Sequence, residues 1–183
     1  MTLDFLRYDI ALLNWMHHHR IPQSVHFLQF ISDTTTILSI ALVVLVLVLA
    51  LVLRSKPMRM KFFMLVTVLI LVLLIAQGLK SMIDRDRPFT TFPDIEKLSS
   101  GGDSSFPSGH TLEAFAVAAA IASLFNRRRF ILPVYTWAFL VAYSRIALGV
   151  HYPSDVLAGI ILGSMTGWLI PCLFMRVFRM PKE

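Results

Sequence analysis

FFMLVTVLILVLLIAQGL, residues 62–79, decides the fold of this chain. The run holds 18 residues without a charge, and only Thr67 and Gln77 carry polar side chains. A helix needs about 20 mainly apolar residues to cross the hydrocarbon layer of a bilayer, so the run reads as a membrane span. Four further runs repeat the signal, at residues 36–53, 111–125, 130–148 and 156–174. The run at 111–125 is short and carries Glu113, so it must pack against neighbours or borrow length from its flanks. Across the 183 residues, 56% are hydrophobic and 15% charged, with a mean hydropathy of +0.70. Soluble domains usually carry about 25% charged residues, and this much apolar surface does not fit inside one small core. The expectation is an all-α fold: a single domain over residues 1–183, built as a polytopic membrane bundle of five to six helices.

The distribution of lysine and arginine orients the bundle. The net charge of +6 does not mark a nucleic-acid surface, because the basic residues fall in short clusters beside the apolar runs. Arg54, Lys56, Arg59 and Lys61 separate the first two runs; Arg127, Arg128 and Arg129 separate the third and fourth; Arg176, Arg179 and Lys182 follow the fifth. Five alternating spans place all three clusters on one side, which the positive-inside rule makes cytoplasmic. The connections at 80–110 and 149–155 then lie on the opposite, extracytoplasmic side. Residues 3–16 mix Asp4, Arg7 and Asp9 with Phe5, Leu6, Leu12, Leu13 and Trp15, the composition of an amphipathic helix lying in the interface. Residues 1–20 show no uninterrupted apolar region or cleavage site, so no signal peptide is expected there. The single cysteine, Cys172, has no partner for an internal disulfide and reads as a packing residue.

The outer connections hold the chemistry. KSMIDRDRPF opens the long one, SSFPSGHTLEAF closes it, and SRIALGVHYPSD forms the short one. Ionisable groups beside hydrocarbon are costly, and a cluster of them at helix ends marks function more often than accident. Lys80 and Arg87 are seven residues apart, on a similar face of a continuing helix until Pro88 stops it. Ser108, Gly109 and His110 open the third run, where free N–H groups and the helix dipole favour an anion, and Gly109 admits close approach of a ligand. Arg145 adds a guanidinium fork suited to phosphate oxygens. His151 and Asp155 are four residues apart, so the carboxylate can accept from one imidazole nitrogen and leave the other as a nucleophile. His110 can protonate a departing oxygen. These groups together describe phosphoryl transfer without a metal.

The same residues form three motifs: K-x6-R-P from Lys80 to Pro88, P-S-G-H from Pro107 to His110, and S-R-x5-H-x3-D from Ser144 to Asp155. With all three complete and in order, the chain resembles the type 2 phosphatidic acid phosphatase (PAP2, or lipid phosphate phosphatase) superfamily, which shares its phosphate site with vanadium haloperoxidases. The resemblance implies His151 as the nucleophile of a phosphohistidine, Asp155 as its orienting acid and His110 as general acid. It implies Lys80, Arg87, Ser108, Gly109 and Arg145 as phosphate ligands, with no metal or cofactor. The implied partners are a lipid phosphate substrate and membrane lipids, in the cytoplasmic membrane of a bacterium with the site facing outward. The GVHYPSDVLAG context looks most like small bacterial undecaprenyl-diphosphate phosphatases. Phosphatidylglycerophosphate and lipid A phosphatases carry the same motifs. Family members commonly have six spans, so residues 3–16 lie flat or residues 22–33 contribute a partial span. A transporter or an inactive scaffold are the rival readings; the polar groups at helix ends on one side and the intact His110, His151 and Asp155 argue against them.

Other polar residues read as structural. His17, His18 and His19 are adjacent and point in different directions on a helix, unlike metal ligands. Arg85 and Lys97 read as ordinary juxtamembrane charge. Glu113 reads as a hydrogen-bonding residue within the bundle, and Trp15, Trp137 and Trp168 as membrane or packing aromatics. Asp103 lies in a turn or lid, and Tyr152 borders the site.

Overall fold

The computed structural model describes residues 2–125 and 127–178. Arg179 and Lys182 of the third basic cluster fall outside them. The elements are α1 (Thr2–His18), a 3-10 turn (Pro22–Ser24), α2 (Val25–Asp33), α3 (Thr35–Val52), α4 (Lys56–Ile83), the single turn α5 (Pro88–Thr91), α6 (Gly109–Phe125), α7 (Arg128–Ala147) and α8 (Pro153–Val177). Each of the five apolar runs lies on its own helix, α3, α4, α6, α7 or α8, and no strand occurs among the described residues.

Local chemistry sets the ends of these helices. Ser55 Oγ accepts from the Met58 N–H at 3.3 Å ahead of Pro57, capping α4. α4 ends at Ile83, where Asp84 turns the chain through the left-handed region at φ 38°. The helix expected to continue to Pro88 stops earlier, Arg87 lies on extended backbone, and Pro88 instead begins α5. Pro153 begins α8, and Asp155 in its first turn accepts from the Tyr152 N–H at 3.0 Å.

The helices α3, α4, α7 and α8 are each long and apolar enough to cross a membrane. Their burial pattern is inverted relative to a soluble bundle. In α3 the buried residues are Thr35, Ser39, Val46 and Ala50, while Ile37, Ile40, Val44, Leu45, Val48 and Leu51 are exposed. Small and hydroxylated residues inside, with large apolar ones outside, is the arrangement suited to a lipid surround. The chain is an integral membrane protein.

The shortest of the five, α6, forms the centre. It packs against α8, α7, α4 and α3, and residues from Thr111 to Ile121, except Glu113, are buried. Its alanines at 114, 116, 118, 119 and 120 allow close approach from every side. On α8, Gly159, Gly163 and Gly167 form a matching stripe. A Cβ on Gly163 would stand 2.3 Å from the Leu112 carbonyl oxygen, and one on Gly167 2.1 Å from that of Ala116. At the far end of the bundle, Lys61 Nζ lies 4.6 Å above the Phe125 ring, so the start of α4 meets the end of α6.

The amphipathic N-terminal segment forms α1, which docks on α7 and α8. It buries Asp9, Leu13 and His17 and leaves Tyr8, Leu12 and Trp15 exposed. Neither α1 nor α2 is among the helices long and apolar enough to span.

Candidate active site

The ends of α4, α6, α7 and α8 that carry the three motifs meet around one cavity of about 570 Å³. Lys80, Arg87, Gly109, His110, Arg145 and His151 all face it. Its far wall is apolar, formed by Ile40, Leu69, Val72, Leu73 and Ala76 from α3 and α4. A charged mouth therefore leads into a groove suited to hydrocarbon.

The orientation of His151 is set by the backbone. Its Nδ1 lies 2.7 Å from the Ser105 carbonyl oxygen, which can only accept. Nδ1 therefore carries the proton and Nε2 the lone pair, 3.4 Å from Arg87 Nη1. The ring is 2% exposed. Burial lowers its pKa to about 4, with Arg145 and Arg87 acting in the same direction and Asp155 opposing them. A neutral imidazole with an available lone pair is the form a nucleophile requires.

Asp155 stands one step behind. Its Oδ2 is 3.8 Å from His151 Nδ1, beyond a hydrogen bond. The carboxylate is fully buried and closely held: Oδ1 accepts from Arg85 Nη1 at 2.6 Å, and Oδ2 accepts from the Tyr152 N–H and from Ser105 Oγ. The direct hydrogen-bond partner of the imidazole is thus the Ser105 carbonyl, and the carboxylate acts on the ring through space.

The cations are braced by the serine-rich loop. The Ser104 carbonyl accepts from both Lys80 Nζ at 3.2 Å and Arg87 Nη2 at 3.0 Å, and the Val150 carbonyl accepts from Arg87 Nη1. Arg145 donates to Ser32 Oγ from α2, to Ser99 Oγ at 3.1 Å and to the Ser100 carbonyl at 2.9 Å. The Nε atoms of Arg87 and Arg145 are buried without a protein hydrogen-bond partner. Gly101 lies close against the guanidinium: a Cβ there would stand 2.7 Å from Arg87 Nη1 and push it aside. Beside Gly109, by contrast, a Cβ would meet open space, so the start of α6 is accessible from the cavity.

Ser108 is placed differently from the other expected phosphate ligands. It is fully buried, its hydroxyl is 2.9 Å from Thr111 Oγ1, and its N–H donates to the Asp155 carbonyl. It joins the start of α6 to the start of α8 and does not face the cavity. Glu113 accepts from Thr36 Oγ1 at 2.9 Å across the α3–α6 interface, and both residues line the cavity.

The three adjacent histidines at the end of α1 diverge. His18 and His19 bond back to the carbonyls of Asn14 and Trp15, while His17 turns inward and its Nε2 accepts from the Glu96 N–H at 3.4 Å. No group of three potential metal ligands occurs among the described residues.

Sequence reasoning did not single out Ser32, Ser99, Ser104 and Ser105, although the two serine pairs flanking Gly101–Asp103 hinted at a built loop. It also set aside Arg85, which the structure places directly on Asp155.

Known proteins resemble this chain in sequence and in fold. Over 97 residues, 50% of this chain and 43% of the relative, it is 36% identical to the lipid A 4'-phosphatase of Bacteroides thetaiotaomicron. Over 83 residues, 45% of this chain and 42% of the relative, it is 37% identical to the undecaprenyl-diphosphatase BcrC of Bacillus subtilis. The matched stretches therefore span less than half the length of either relative. The fold is shared with a transmembrane PAP2-type phosphatidylglycerolphosphate phosphatase from Bacillus subtilis, at a TM-score of 0.80 and 22% identity, covering 97% of this chain and 90% of that one. The PAP2 superfamily pattern matches residues 61–179, the part of the chain that carries all three motifs and the cavity between them, and the chain belongs to the PAP2 superfamily.

Proposed function

We propose that this chain is a metal-independent lipid phosphatase that works through a phosphohistidine on His151, with undecaprenyl diphosphate as its foremost substrate. The observation that carries the mechanism is the Ser105 carbonyl on Nδ1, which leaves the His151 Nε2 lone pair beside the cationic side of the cavity. In the first step Nε2 forms a bond to the terminal phosphorus as the bond from that phosphorus to the bridging oxygen breaks (to the ester oxygen in a monophosphate). Burial and the nearby cations lower the pKa of His110 to about 3. The bound anion offsets those cations, so that His110 takes up a proton and passes it to the departing oxygen. Water then attacks phosphorus and returns a proton to His110; the phosphorus–nitrogen bond breaks and inorganic phosphate leaves. Lys80, Arg87 and Arg145, with the N–H groups at the start of α6, compensate the charge that develops on the transferring group. The buried Nε atoms of the two arginines support that role. Asp155 stabilises the charged ring of the phosphohistidine.

Phosphatidylglycerophosphate, phosphatidate and lipid A are the alternative substrates, since an apolar groove beside a phosphate cradle suits each. The distribution of basic residues supports a site facing outward from a bacterial cytoplasmic membrane.

Phosphate release by purified protein in excess chelator, from polyprenyl diphosphate, phosphatidylglycerophosphate, phosphatidate and lipid A side by side, tests the proposal. Polyprenyl diphosphate is expected to be turned over fastest, and His151→Ala to abolish turnover with the fold intact. Dependence on added metal, or a near-normal rate in His151→Ala, rules the mechanism out.

A further inference from the structure

Arg85 occupies an unspecified position inside the first motif, yet among the described residues it is the cation paired with Asp155. Its two terminal nitrogens point to different partners. Nη1 donates to Asp155 Oδ1 at 2.6 Å and to Ser154 Oγ at 2.7 Å, while Nη2 donates to Asp9 Oδ2 at 2.7 Å. The guanidinium carbon sits 3.8 Å above the Tyr152 ring, which fixes its plane. Its own carbonyl accepts from the Ser105 N–H at 2.7 Å, so it also holds the residue whose carbonyl orients His151.

Asp9 completes the arrangement from α1. It is 5% exposed, and besides Arg85 it accepts from the Ser154 N–H at 2.8 Å and Ser154 Oγ at 2.6 Å. One carboxylate from the N-terminal helix thus engages both the first turn of α8 and the guanidinium that holds Asp155. Two carboxylates flanking one guanidinium leave it nowhere else to turn, and a buried carboxylate keeps its charge only while such partners remain.

We propose that Arg85, clamped by Asp9, is a positioning residue for phosphoryl transfer: it fixes Asp155, and through Ser105 the ring of His151, making the N-terminal helix part of the reaction apparatus. The inference rests on the roles proposed above for His151 and Asp155. It predicts an effect on the chemical step with little effect on binding, because Arg85 does not face the cavity.

The test uses the full chain in detergent and whichever of the four panel lipids it turns over fastest. Arg85→Met is expected to lower kcat by at least about tenfold with KM within about twofold. Arg85→Lys, which can reach one carboxylate but not both, restores part of the loss. Asp9→Asn lowers kcat by a smaller factor, and combining it with Arg85→Met adds nothing, as expected for two members of one chain of contacts. Melting temperatures are recorded beside the rates. If Arg85→Met does not fold, Arg85→Lys and Asp9→Asn carry the test. Full kcat in the folded Arg85 variants, or an Asp9→Asn protein that melts earlier but turns over normally, overturns the inference. His151→Ala separates the two levels. An active His151→Ala sinks the phosphohistidine reading itself, whereas an inactive one beside a fully active Arg85→Met sinks only the role given to Arg85.

Discussion

The contact between α6 and α8 sets the distance between the halves of the site, and Gly163→Ala perturbs it with a single methyl group. Gly163 faces the α6 backbone, where a Cβ would stand 2.3 Å from the Leu112 carbonyl oxygen against an ordinary contact of 3.4–4 Å. The shortfall is about 1 Å, and the obstacle is backbone, so no side-chain rotation relieves it. The helices must separate by about that amount, or one must bend. Ser108 to His110 ride on the start of α6, and Asp155 on the start of α8, joined by the hydrogen bond from the Ser108 N–H to the Asp155 carbonyl. Overpacking of this kind costs about 1–3 kcal/mol, and a displacement of about 1 Å at reacting groups costs about a hundredfold in rate. Gly163→Ala is therefore expected to melt earlier and to lose one to two orders of magnitude in kcat. Gly78→Ala is the matched control. No atom lies within 4 Å of a Cβ placed there, and replacing glycine by alanine within a helix is favourable by up to about 1 kcal/mol. The same chemical change is thus expected to have opposite effects on stability at the two positions. Thermal unfolding in detergent and phosphate release, measured on both variants, decide the matter. A Gly163→Ala protein as stable and active as the parent would show that α6 and α8 are not in backbone contact.

Two further outcomes follow from the site. Because the folded pKa of His151 lies near 4, below the ordinary 6.5, the ring stays neutral between those values while the unfolded chain takes up a proton. Stability is therefore expected to fall as pH drops from 6.5 towards 4, with no further loss from this group below 4. Nitrogen NMR of 15N-histidine-labelled protein at pH 5.5 should show His151 neutral and protonated at Nδ1; a charged ring at that pH contradicts the burial argument. Ser32→Ala removes a hydrogen bond from α2 to the buried Arg145, leaving Ser99 and the Ser100 carbonyl. At about 1 kcal/mol for such a bond, KM should rise roughly fivefold with kcat nearly unchanged, and an unaltered KM would mean that α2 plays no part in holding the phosphate cradle.

The parts of this protein legible in its sequence are those with a local signature. Apolar runs announce helices in lipid whatever packs against them, and the spacing of His151 with Asp155 belongs to a single helix start, whereas the shared helix expected for Lys80 and Arg87 ends at Ile83. What was missed depends on partners far apart in the chain. Arg85 meets Asp9 across 76 residues and Asp155 across 70, and nothing around it in DRDRP distinguishes a clamped guanidinium from one reaching for water. The hydrogen bond that orients His151 ends on a backbone carbonyl, which any residue supplies, so no side-chain pattern could reveal it. In the same way P-S-G-H locates Ser108 at the start of a helix but not the direction of its hydroxyl, which lies beside Thr111 Oγ1.

The central helix shows why the polar loop and the membrane bundle depend on each other. At 17 residues, α6 is about 25 Å long, short of a hydrocarbon layer of about 30 Å. A helix facing lipid at that length would carry a mismatch, but α6 is enclosed by α3, α4, α7 and α8 and has no lipid boundary to match. Enclosure therefore frees its first turn to stop short and end in a polar cavity, where unpaired N–H groups are an asset beside an anion instead of a cost beside hydrocarbon. The requirement runs in the other direction too. A helix packed on all sides needs small residues along its own length and a glycine stripe on its closest neighbour, and AFAVAAAIA facing Gly159, Gly163 and Gly167 meets it. The glycines of α8 are thus tied to chemistry two turns away, because they let the two helix starts that carry His110 and Asp155 approach each other.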